Sequence, residues 1–130
     1  MNTQARLSKP KPNVDTAELN DLIIDSIQDI KGKHIVKLDM RRLYDAPSDY
    51  FIICEGDSNT QVRAIANNIQ KRVGQEMNIN PNHVEGSGNN LWVLIDYFDT
   101  VVHVFYRETR KFYELEDLWG DAVLTEYENL

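Results

Sequence analysis

A single cysteine, Cys54, stands among 130 residues, which excludes an internal disulfide framework and a cysteine-rich zinc site. No apolar run approaches the roughly 18 residues that a membrane-spanning helix needs. The first residues also lack the apolar stretch of a secretory leader, so a cytoplasmic setting without a membrane partner is expected. His34, His83 and His103 lack metal-ligand spacing. No Gly-x-x-x-x-Gly-Lys phosphate cradle occurs, nor any internal repeat or low-complexity block. Neither a cofactor nor a metal is expected.

Positive charge is scarce as well. Lys and Arg number 14 against 21 Asp and Glu, for a net charge of −7. The first 14 residues hold Arg6, Lys9 and Lys11 and no acid, so the remainder carries −10. From Glu108 onward seven acids face only Arg110 and Lys111. Such a body is repelled by phosphate backbones, so little direct nucleic-acid contact is expected. A basic protein partner is attracted instead, although acidity also serves plain solubility.

What is present suits one α/β domain with its own core: 42% hydrophobic and 27% charged residues. Residues 1–14, with Pro10 and Pro12, read as a disordered basic arm. Asp15 and Glu18 form a capping box ahead of Leu19, Leu22, Ile23, Ile27 and Ile30, an apolar helical stripe that ends with Gly32 as a left-handed stop. A β-prone run covers about 34–40, and 41–48 reads as a loop closed by Pro47. Tyr50 to Cys54 is nearly continuous in apolar character, the pattern of a strand buried on both faces. Ser58 and Gln61 cap a second helix whose stripe is Val62, Ile65, Ala66, Ile69, Val73 and Met77. A short strand is expected at 83–85. Residues 108–119 read as helical, with Gly120 as the stop. The domain is expected over 15–122, with 123–130 an acidic C-terminal tail.

Leu91 to Arg107 is the most β-like stretch. A two-residue turn at Phe98-Asp99 fixes its register by counting, so that Asp96 opposes Val101, Leu94 opposes His103 and Trp92 opposes Phe105. Alternation then puts Val93, Ile95, Val102 and Val104 on one face, where they suit packing under the helices. Trp92, Leu94, Asp96, Val101, His103 and Phe105 share the other. That face either packs on the C-terminal segment of the same chain, with His103 hydrogen-bonded inside, or is covered by a second copy or another protein. Its aromatic residues are types that dominate interface energetics.

Catalytic constellations do not assemble. The Gly56-Asp57-Ser58 turn offers amides at a helix start, but Ser58 serves as cap and Asp57 repels phosphate. Cys54 lies inside a buried strand, where a thiol behaves as a small hydrophobe. Gly86-Ser87 with Asp96 and Asp99 has the flavour of a nucleotidyltransferase. Asp96 and Asp99, three apart across a turn, do not point from one strand face to one metal.

Three segments are similar to the ribosomal silencing factor, or Iojap-related, family. They are Ser48-Asp49-Tyr50-Phe51-Ile52-Ile53-Cys54 continuing to Ala66, Glu85-Gly86 with Trp92 to Asp96 and Val101 to Phe105, and Arg110-Lys111-Phe112-Tyr113-Glu114-Leu115 continuing to Ala122. Phe98 stands where the family commonly has Gly, and Thr60 where a basic residue is common. The resemblance implies a single α/β domain, nucleotidyltransferase-like, with a mixed sheet and helices packed mainly on one face, and without catalytic carboxylates. It implies binding to the large ribosomal subunit through its universal fourteenth protein, which blocks subunit joining and represses translation when nutrients run short. It also implies a homodimer when free. By position the partner contacts fall on Trp92, Leu94, Asp96, His103, Phe105, Tyr113 and Trp119. The alternatives are a nucleotidyltransferase-like enzyme with a carboxylate site not assembled above, and a plain dimeric scaffold.

Overall fold

The computed structural model describes residues 14–130, so the expected basic arm lies, apart from Val14, outside the described residues. The elements in order are α1 (Thr16–Asp29), β1 (Lys33–Asp39), β2 (Tyr50–Gly56), α2 (Asn59–Met77), β3 (His83–Glu85), β4 (Trp92–Asp96), β5 (Thr100–Tyr106), α3 (Arg107–Tyr113), α4 (Leu115–Leu118) and β6 (Val123–Tyr127). The strands form one six-stranded sheet in the order β3-β4-β5-β2-β1-β6. Only β2 and β5 run parallel among the described strands. A parallel pair needs a crossover, and α2 supplies it.

Both long helices begin where their caps predict. The Asp15 carboxylate accepts the N–H groups of Ala17 and Glu18 at 3.0 and 3.2 Å. Ser58 Oγ accepts the Gln61 N–H at 3.1 Å. The Gln61 side chain accepts the N–H of Asp57 and donates to the carbonyls of Ile30 and Lys31. One residue thus satisfies open groups at the start of α2 and the end of α1. The left-handed residue after α1 is Lys31, at φ +61°, and not Gly32. Gly32 is required for space instead, because a Cβ there would run into the side chain of Ile27.

The hairpin register is the counted one, from Trp92↔Phe105 to Asp96↔Val101. It holds although Phe98 takes φ +73°. The Asp96 carboxylate accepts the Phe98 N–H at 2.7 Å and Tyr97 N–H donates to Thr100 O at 2.8 Å, which offsets the strain. Val93, Ile95, Val102 and Val104 join Ile35, Ile52 and Cys54 beneath the stripes of α1 and α2. On the opposite face Val36, Leu38, Phe51, Ile53 and Phe105 pack under Leu115, with Trp119 and Ala122 partly covering them.

Two expectations about the C-terminal part are corrected. Residues 108–119 do not form one helix: Glu114 takes φ +46° and separates α3 from α4. Nor are residues 123–130 a tail beyond a boundary at 122. Val123–Tyr127 pairs antiparallel with β1, from Asp39↔Val123 to Ile35↔Tyr127. The free edge of β1 recruits this β-branched and aromatic segment, and its acidic surroundings mask that propensity in the sequence.

Candidate protein-docking face

Strand pairing builds the centre of this face. With Trp92 opposite Phe105 and His103 two residues before Phe105, the three rings become neighbours on one side of the β4–β5 hairpin. The centroids of Trp92 and Phe105 lie 4.8 Å apart in a stacked arrangement. Trp92 Nε1 donates to His103 Nδ1 at 3.1 Å. From the other side Tyr113 of α3 brings its ring centroid to 4.8 Å from Trp92. Phe112 meets Tyr113 edge-on at 5.1 Å. His103 contacts Phe51 at 4.4 Å, and Phe51 contacts Trp119 at 6.3 Å. The rings therefore form a continuous ledge from α4 across the sheet to α3.

Exposure divides the expected contact residues. Phe105 is fully buried in a cluster that includes Leu115 of α4, and His103 is 3% exposed among the rings of Phe51, Trp92 and Phe105. These two support the ledge from below, and in this conformation they present no surface to a partner. Trp92 and Trp119 are half-buried, and Tyr113 is 50% exposed. Leu94 and Asp96 lie further along β4, both half-buried. Asp96 is held in place by the Phe98 N–H and by His83, whose Nδ1 lies 3.4 Å from its second oxygen. Phe112 and Leu118, not singled out by sequence, are 81% and 70% exposed. Apolar residues this bare inside a charged stretch are the signal that marks them.

Burial pushes His103 down to about 3, so its ring is neutral. That agrees with Nδ1 accepting the Trp92 proton and leaves the N–H on Nε2, which has no hydrogen-bond partner. The indole is therefore oriented by a neutral acceptor and gripped between Phe105 and Tyr113.

Arg110 is the residue that sequence reasoning passed over. It is only 8% exposed. Its guanidinium donates to His34 O at 2.7 Å, to Glu55 at 3.1 Å, and twice to one oxygen of Glu116, at 2.9 and 3.2 Å. It thereby ties β1, β2, α3 and α4 together. Glu55 is the clue: a carboxylate continuing a buried strand on its inner side demands a buried cation.

Cys54 is buried and its thiol is pushed up to about 12 by burial, so it is no nucleophile. No group of three His, Cys, Asp or Glu able to hold a metal ion occurs among the described residues. None of the described helices is long and apolar enough to cross a membrane.

A sequence model of the family described as "Ribosomal silencing factor during starvation" matches residues 13–130. The chain is 42% identical over 113 residues to a ribosomal silencing factor of Halalkalibacterium halodurans, covering 87% of this chain and 95% of that protein. It is 43% identical over 98 residues to one of Bacillus subtilis, covering 75% and 81%. Among solved structures, a Chromobacterium violaceum protein superimposes with a TM-score of 0.77 at 38% identity, covering 82% of this chain and 88% of that one.

Proposed function

The chain belongs to the ribosomal silencing factor family, and from that premise we propose that it represses translation by occupying the large ribosomal subunit. The contact is the universal fourteenth protein of that subunit, on the surface that must meet the small subunit. Occupancy blocks joining sterically when nutrients run short, and no reaction is involved. The free form is a cytoplasmic homodimer.

One observation carries the reading. The ledge of Trp92, Tyr113 and Phe112 is left partly bare on an acidic body, although Leu115, Trp119 and Ala122 of the C-terminal segment pack on the same face of the sheet. Exposed aromatics braced from behind lose little conformational entropy on docking, which suits them to anchor a partner. The acidity of the body favours a basic partner, as ribosomal proteins commonly are.

Density-gradient sedimentation of separated subunits, with and without the protein, tests this. The protein is expected to travel with the large subunit and to lower the joined-ribosome peak at stoichiometric amounts. Trp92→Ala is expected to weaken that binding by at least roughly 2 kcal/mol, or about thirtyfold. A folded Trp92→Ala variant that binds as tightly as the parent would remove Trp92 from the contact. A protein that stays at the top of the gradient while subunits join normally would overturn the function.

A further inference from the structure

We propose that β6 is a second docking edge, which takes an extended basic segment of a partner protein as an added strand and receives its Lys or Arg side chains in the adjoining cleft. The surface shares no residue with the aromatic ledge, and the inference stands whether or not large-subunit binding does.

Backbone comes first. β6 ends the sheet, so its outer N–H and C=O groups have no strand partner among the described residues. Edge strands are ordinarily guarded by Lys, Pro or a bulge. Val123-Leu124-Thr125-Glu126-Tyr127 has no Lys or Pro, and Glu126 is its only charge. Val123 is 60% exposed and Leu124 47%. A strand-forming segment with open hydrogen-bonding groups and bare apolar side chains is the template on which peptides add to sheets.

Beside this edge lies an open cleft of about 660 Å³, between the β1–β6 pair and the α3–α4 segment. Leu124 and Glu126 line it from β6, and Glu114, Glu116 and Asp117 line it from the helices. Leu124 and Glu126 are two apart and so share one face of the strand. An added strand therefore places alternate side chains over the same cleft, one beside Leu124 and the next beside Glu126. Arg110 holds Glu55 and Glu116, so Glu114, Asp117 and Glu126 are the lining carboxylates that an incoming cation meets. An ammonium or guanidinium gives such a carboxylate a charge-assisted hydrogen bond.

Charge selects among occupants. The cleft is lined by five carboxylates, from Glu55, Glu114, Glu116, Asp117 and Glu126, against Arg110 and Lys111. A second copy would bring the same acidic rim onto this one, and a phosphate-bearing ligand is repelled outright. The fit is an extended protein segment that alternates aliphatic and basic residues: the aliphatic side chain covers Leu124, and the cation sits beside Glu126, toward Glu114 and Asp117 across the cleft.

Amide NMR on the full-length chain tests this, with an alternating Val-Lys hexapeptide as probe and the Val-Glu hexapeptide as control. Shifts are expected to concentrate in residues 123–127 and 114–117, to be absent with the control peptide, and to shrink as salt rises. A combined Glu114→Gln, Glu126→Gln variant is expected to bind the Val-Lys peptide at least tenfold more weakly. Shifts spread equally over the acidic face of α1 at Asp21, Asp25 and Asp29 would overturn the proposal, as would none at β6. Two further outcomes would replace the occupant and so overturn it: deletion of residues 1–13 alone moving the β6 amides, or the peptide dissociating a dimer.

Discussion

His103 does its work uncharged, and that makes acid the way to expose it. Its pKa is about 3 when folded, against an ordinary 6.5. Above about pH 6.5 both folded and unfolded chains hold it neutral, and it contributes nothing to pH dependence. As pH falls below that value the unfolded chain takes a proton that the folded chain refuses, so stability is lost progressively down toward pH 3. At pH 4.5 the loss relative to pH 7 is expected to be about 2–3 kcal/mol by urea unfolding, and His103→Gln is expected to abolish most of it. Equal losses in parent and variant would show that His103 is not the group responsible. Asp39 and Asp57 are held low by hydrogen bonds from Arg41 and Lys33 and matter only at more acid pH. Arg110 is the other decisive single residue. Arg110→Ala leaves two mostly buried carboxylates, Glu55 and Glu116, facing each other without their cation. A destabilisation of roughly 2–4 kcal/mol is expected by chemical denaturation, and one below 1 kcal/mol would contradict the role given to it.

Among the elements, those with a strong local signal are where the sequence puts them. α1 and α2 follow from caps and stripes, and the β4–β5 hairpin follows from counting outward from its turn. The turn into β4 depends on one glycine. Gly86 takes φ +87°, and a Cβ there would collide with the backbone carbonyl of Trp92. Gly86→Ala is therefore expected to cost at least about 2 kcal/mol in thermal or urea unfolding and to displace Trp92 with it. Gly88→Ala meets nothing within 4 Å and is expected to stay within about 0.5 kcal/mol of the parent. If the two variants were equally stable, close backbone approach would not be what selects glycine at 86. The elements less legible in sequence are the short ones. α3 and α4 are too brief for a helical period to show where Glu114 breaks them, and β6 resembles a charged tail until β1 pairs with it.

At the scale of the whole molecule, charge is the dominant feature. An acidic chain drawn to a basic partner loses part of that attraction when salt screens it. Binding to the large subunit is expected to weaken several-fold between 50 and 200 mM monovalent salt, measured by co-sedimentation at magnesium held constant, whereas a salt-independent affinity would leave the apolar ledge to act without electrostatic help. Composition, periodicity and motif spacing alone determined the α/β class, both long helices, the hairpin register and the aliphatic face of the sheet, and the family resemblance added the mixed sheet. All of these rest on neighbours close in sequence or on patterns that repeat along it. Which residues of the aromatic face stay bare was decided only in three dimensions. Tyr113 and Trp119 approach rings far away in the chain, Arg110 finds Glu55 across 55 residues, and Leu115 of α4 joins the cluster that buries Phe105 while Tyr113, Phe112 and Leu118 stay in solvent. Long-range packing of short segments leaves no period in the sequence, because each contact satisfies a partner that local pattern does not contain.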